Sequence, residues 1–170
     1  LMNESQSVDF FIQWSIRASV ILVYGRLLYR LWRGTPAQTN QRCREYYIWL
    51  AGYLFFVLHV CLSFHFVHHW LHSDAWNRTA NETENLIGIR NGYGIWANYL
   101  MLVLWGMDLL RLRKAKRTDR IPSFSLDRAV ASFFGFMFIN ATVVFGPPSY
   151  RYLACPALIL LIYVWRAQKT

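Results

Sequence analysis

Charged residues fall in blocks along this chain, and long apolar runs lie between the blocks. Residues 46–73, between Glu45 and Asp74, are 28 consecutive positions without Asp, Glu, Lys or Arg, whereas about 20 apolar residues cross a bilayer as an α-helix. Residues 91–107 give 17 uncharged positions before Asp108, and 129–150 give 22 between Arg128 and Arg151. Two further runs are less clean: 10–31 is interrupted by Arg17 and Arg26 and reaches Arg30 at its end, and 152–165 is 14 residues long with Pro156 inside. The latter reaches spanning length if its helix starts near Pro148 and Arg151 snorkels toward the head groups. The pattern predicts an all-α membrane protein, one transmembrane helical domain over 1–170 with about five spans at approximately 10–31, 46–70, 92–109, 129–146 and 149–166.

Composition agrees once the segregation is seen. A mean hydropathy of +0.20 would pass for a soluble chain. With 55% hydrophobic residues and 18% aromatic, however, a disordered tail, a collagen-like repeat and a disulfide-framed miniprotein are excluded. The net charge of +9 then reads as topology. Segments 30–45, 111–128 and 166–170 carry Arg30, Arg33, Arg42, Arg44, Arg111, Arg113, Lys114, Lys116, Arg117, Arg120, Arg128, Arg166 and Lys169 against only Glu45, Asp119 and Asp127. The opposite side holds Arg78, Arg90 and Arg151 against Glu4, Asp9, Asp74, Glu82 and Glu84. Basic short loops stay cytoplasmic, so the N-terminus is expected outside and the C-terminus inside. The basic excess thus predicts orientation rather than nucleic-acid binding, and membrane lipids are the expected surroundings. A homo-oligomer or a place in a larger membrane complex stays open. Cys43, Cys61 and Cys155 show no metal-type spacing and argue for no disulfide. The chain has no glycine-rich phosphate loop and no G-x-S-x-G motif.

All five histidines fall within 59–72, in HVCLSFHFVHHWLH. On a continuous helix His65, His68, His69 and His72 share an arc of about 100° over two turns, with His59 pointing elsewhere. Their i,i+3 and i,i+4 spacings can direct two imidazoles at one ion. Asp74, in the outer segment, is the nearest acid able to complete such a site. Matching depths at 1.5 Å per residue, roughly, places Arg17, Asn98 and Asn140 near the level of His65, which predicts a polar layer in the outer third of the bundle. Gln13 lies one turn from Arg17 on the same face. Asp108 is too deep to join the histidines and is expected to pair with Arg26 as a structural ion pair near the inner face. Residues 73–94 read as an outer loop that could lie in the interface as a partial lid. Asn77-Arg-Thr79 and Asn81-Glu-Thr83 within it have the form of glycosylation sequons.

His65-Phe-Val-His68-His69 is similar to the HxxHH box of the membrane di-iron desaturases and hydroxylases, where imidazoles hold iron near the membrane surface. The similarity covers these five residues. That family draws its ligands from several boxes facing the cytoplasm, whereas this chain has one, on the expected outer side. The residues themselves point to a membrane-embedded metal site of His65, His68, His69, His72 and Asp74 holding Fe, Cu or Zn, in an oxidoreductase acting on a lipid or quinol. Haem is less favoured, because all the histidines lie on one segment. The alternatives are a channel or transporter with the histidines along a polar path, and a structural subunit of a membrane complex. Orientation is directly measurable. In a background without the native cysteines, a single cysteine at Ile89 should react with a membrane-impermeant maleimide on intact cells, and one at Lys116 should react only after permeabilisation.

Overall fold

Three long helices lie side by side and a shorter, amphipathic one joins the second to the third. The computed structural model describes residues 4–33, 39–118, 132–137 and 140, and among these no strand occurs. The helices are α1 (Glu4–Arg33), α2 (Thr39–Phe66), α3 (His72–Ile87) and α4 (Gly94–Thr118). Three stretches are long and apolar enough to cross a membrane: Gln6–Arg26, Cys43–Phe66 and Gly94–Lys114. Their outward sides present Phe11, Ile21, Leu54, Leu58, Val103 and Met107 to the surroundings, a surface suited to acyl chains. The chain divides into two compact units, Leu1–Pro122 and Ser123–Thr170. In the second, 132–137 is helical and Asn140 is half-buried. The rest of the expected spans 129–146 and 149–166 lies outside the described residues.

The α1–α2 pair is antiparallel with a two-turn repeat. Arg26 Nε lies 3.9 Å from Glu45 Oε2, Ser19 Oγ donates to the Gly52 carbonyl at 2.9 Å, and His59 Nδ1 is 3.0 Å from the Ile12 carbonyl. Each contact is seven residues from the next on both helices, in opposite directions, which is the spacing of a left-handed coiled-coil seam. Small residues make it close: Ser15, Ser19 and Gly52 let the backbones approach, as membrane helices require when lipid supplies no hydrophobic drive for association. A carbonyl can only accept, so His59 carries a proton on Nδ1 and is a helix-pairing residue rather than part of an outer site.

α4 packs on α2 through one indole. Trp105 has no exposed surface; it stacks on Phe56 with centroids 5.8 Å apart and meets Trp49 at 4.6 Å and Tyr53 at 5.8 Å. Gly52 makes room for it, since a Cβ there would stand 3.1 Å from the Trp105 ring and 3.6 Å from Leu22. At the end where α1 leads into α2, a charge network closes the three helices together. Arg26 lies over the Trp49 ring at 4.1 Å, Trp49 Nε1 donates to Asp108 Oδ2 at 3.0 Å, and Arg111 reaches Asp108 Oδ1 at 2.8 Å. The sequence expectation of an Arg26–Asp108 pair therefore needs refinement. Both belong to one cluster, but the ion pairs shown are Arg26–Glu45 and Asp108–Arg111, and the indole of Trp49 joins them.

Gly52→Val should wedge α2 away from both neighbours and cost about 1–3 kcal/mol. Gly25→Ala, with nothing within 4 Å of its added Cβ, should not destabilise. Unfolding midpoints in mixed micelles separate the two, and equal midpoints would refute the packing account.

Candidate functional site at the outer turn

α2 stops at Phe66, four residues short of the expected span end at 70. Its last turn widens: the Ser63 carbonyl accepts from both Val67 and His68 N–H, at 2.9 and 3.1 Å, and the Phe64 carbonyl accepts from Trp70 N–H at 2.9 Å. His69 and Trp70 then adopt left-handed backbone, with φ of 49° and 61°. For residues with a Cβ this costs roughly 1–2 kcal/mol each and persists only where other contacts over-determine the turn. Trp70 supplies such contacts, because its Nε1 donates to His65 Nδ1 at 3.3 Å and its ring lies 6.1 Å from Phe64.

α3 occupies what the sequence suggested was a loop. Its packed face consists of Ala75, Trp76, Thr79, Ala80 and Thr83, spaced for one side of a helix. The Thr79 and Thr83 hydroxyls bond back to the Ala75 and Thr79 carbonyls, at 2.9 and 2.8 Å. Gly88, at φ 74°, ends the helix in the left-handed conformation and donates its N–H to the Glu84 carbonyl. The return segment then passes so close to Trp76 that a Cβ at Gly92 would overlap the indole at 2.6 Å, and one at Gly94 would meet Thr79 at 3.2 Å. Outside, Arg78 pairs with Glu82 at 3.2 Å, while Arg90 bonds to Asn81 and lies 3.5 Å from Glu84. Asn77 and Asn81 of the two sequons sit on this exposed face.

The turn disperses the histidines that a continuous helix would have aligned. His65 remains on α2, exposed, with its ring edge-on to Phe66 at 4.6 Å. Because its Nδ1 accepts from Trp70, neutral His65 carries its proton on Nε2 and has no lone pair left for a metal. His68 is half-buried against Phe64, with centroids 5.4 Å apart. Burial pushes its pKa down, the Arg78 guanidinium and the neighbouring His69 push it further, and Asp74 and Glu82 oppose them. His69 is exposed within the turn. His72 opens α3, its Nδ1 2.9 Å from the Tyr99 hydroxyl, among the rings of Trp96 at 5.6 Å, Tyr99 at 5.8 Å and Trp76 at 6.3 Å. Asp74 is half-buried and accepts from Ser73 Oγ at 3.4 Å. Among the described residues no three His, Cys, Asp or Glu stand where they could share one metal ion.

Of the expected polar layer, Arg17 donates to Gln13 at 3.2 Å and lies over the Trp14 ring at 5.4 Å, Asn98 is exposed on α4, and Asn140 belongs to the second unit. Depth matching pointed to Asn98. The residue that the structure sets against a histidine is its neighbour Tyr99, about 100° round the helix, and its partner is His72 rather than His65. Phe64, Trp76 and Trp96 complete the cluster, brought together by the reversal of the chain at 67–71. The chain matches no protein-family model, and no curated protein or solved structure matches it.

His68 gives the turn a pH dependence of definite sign. Its folded pKa lies below the ordinary 6.5, so the unfolded chain binds the proton more readily and stability falls as pH drops below that value. Thermal melts between pH 7.5 and 5 should show this loss, and His68→Gln should lessen it. An unchanged acid slope would contradict the burial of the imidazole.

Proposed function

We propose that the chain is a multi-pass integral membrane protein of about five spans, N-terminus outside, that binds the polar ring head of a lipid-soluble ligand of quinol type at the α2–α3 turn. The observation that carries this reading is the His72–Tyr99 pair. An imidazole and a phenol, each able to donate and accept, lie 2.9 Å apart at the boundary of a spanning helix. Trp76, Trp96 and Phe64 surround them and offer faces to a flat head group. Exposed Phe66 and Leu100 beside the cluster give an apolar tail a route into the acyl layer. Trp105, fully buried between the inner network and the outer turn, supports binding over conduction through the three described spans.

A metal-dependent oxidoreductase on the same ligand is the second reading. It is favoured by the concentration of His68, His69, His72 and Asp74 within seven residues and by the field of Asp74 and Glu82 at His68. It omits His65 for the tautomer reason given above, and it requires the turn to draw these ligands together.

A photoreactive quinone should label the purified full chain. His72→Ala and Tyr99→Phe should each weaken that labelling about tenfold, the effect of removing one well-placed hydrogen bond. Labelling that is equal in the wild type and both variants would overturn the binding reading and favour a scaffold. Elemental analysis and an optical spectrum of the same sample decide the metal reading, which a colourless preparation free of Fe, Cu and Zn would remove.

A further inference from the structure

Inward of the Trp49 network, all three spanning helices continue into basic sequence. α1 carries Arg30 and Arg33, α2 begins through Arg42 and Arg44, and α4 runs on through Arg113, Lys114, Lys116 and Arg117. Residues 27–44 and 109–118 contain no Asp or Glu. Asp119 follows in sequence; among the described residues the nearest acids, Glu45 and Asp108, are only 4% and 6% exposed and are engaged with Arg26 and Arg111 in a network of two positive and two negative charges. The basic residues beyond it therefore meet no excess of negative charge from that layer.

The placement of the exposed residues identifies what can supply the charge. Arg44 is exposed one turn inward of exposed Tyr47, and Arg113 one turn inward of exposed Leu110. On both helices an outward apolar side chain is thus followed inward by an outward guanidinium, the order in which a phospholipid presents acyl chain and phosphate. A guanidinium matches phosphate oxygens with two parallel donors. We propose that this inner collar, centred on Arg44 and Arg113, is a binding surface for anionic phospholipid head groups. A nucleic acid would match the charge but not the apolar residues outward of each arginine. The collar is independent of the outer site and of its ligand.

The test uses the full chain in nanodiscs of phosphatidylcholine with and without phosphatidylglycerol. Phosphatidylglycerol should be enriched in the lipid that stays with the protein on detergent extraction, roughly fivefold for one effective basic contact. The enrichment should fall in Arg44→Gln and in Arg113→Gln, nearly vanish in the double variant, and stay unchanged in Arg78→Gln at the opposite end. Because Arg44 and Arg113 are exposed, the singles should keep the wild-type unfolding midpoint in phosphatidylcholine. Retained lipid of bulk composition, or enrichment that survives the double variant, would overturn the proposal. Competition by inorganic phosphate, or by a single-stranded oligonucleotide at lower concentration than the lipid, would also overturn it by naming a soluble partner.

Discussion

The Trp49 indole stands between two ion pairs in an apolar bundle, and the alignment of the three described spans depends on it. Charges inside a spanning segment are tolerated only when paired, and breaking such a pair is far costlier than the pair is stabilising. Arg26 and Glu45 thus fix α1 against α2, while the Trp49–Asp108 hydrogen bond fixes α2 against α4. Sliding any one helix by a turn would leave a carboxylate or a guanidinium unpaired on an apolar surface. The network acts chiefly by penalising alternatives, which is how a few polar groups specify register where apolar packing alone would accept several.

From that anchor the geometry propagates outward. The seven-residue steps from Arg26–Glu45 to Ser19–Gly52 to Ile12–His59 carry the register along the length of α1 and α2. Trp105 fills the space beside Gly52 and transmits it to α4. Tyr99 is then set opposite the end of α2, so the outer histidine–aromatic cluster is held by packing that begins at the other face.

Much of this could be read from the sequence, and the part that could not has a physical cause. The uncharged runs 46–73 and 91–107 marked two of the three helices that are long and apolar enough to cross a membrane, and the interrupted run 10–31 marked the third, because crossing a membrane imposes a length and a polarity on a helix. The inner charges were visible as a cluster, but depth alone could not choose between Glu45, Asp108 and Arg111 as partners. That choice depends on helix rotation, which mixed aromatic faces such as those of Trp49 and Trp105 leave ambiguous. The histidine arc failed for a different reason. It assumed a helix through 70, and nothing local in Val-His-His-Trp announces left-handed backbone, which here rests on the tertiary contacts of Trp70. α3 escaped notice because its polar residues read as a loop, although its packed face, alanine and threonine with Trp76, recurs at helical spacing.

Those small side chains also determine how firmly α3 is held. Its contact with α4 relies on backbone proximity at Gly92 and Gly94, on Trp76, and on His72 against Trp96 and Tyr99, with the rest of its packed face made of side chains too small to remove much apolar area from water. Dispersion between close-fitting surfaces fades within about an ångström of separation. Detachment of α3 is accordingly the least expensive excursion open to the described bundle, well below the cost of separating the spans. Because His72 stands at its first residue, each such excursion removes one member of the imidazole–phenol pair and uncovers the other.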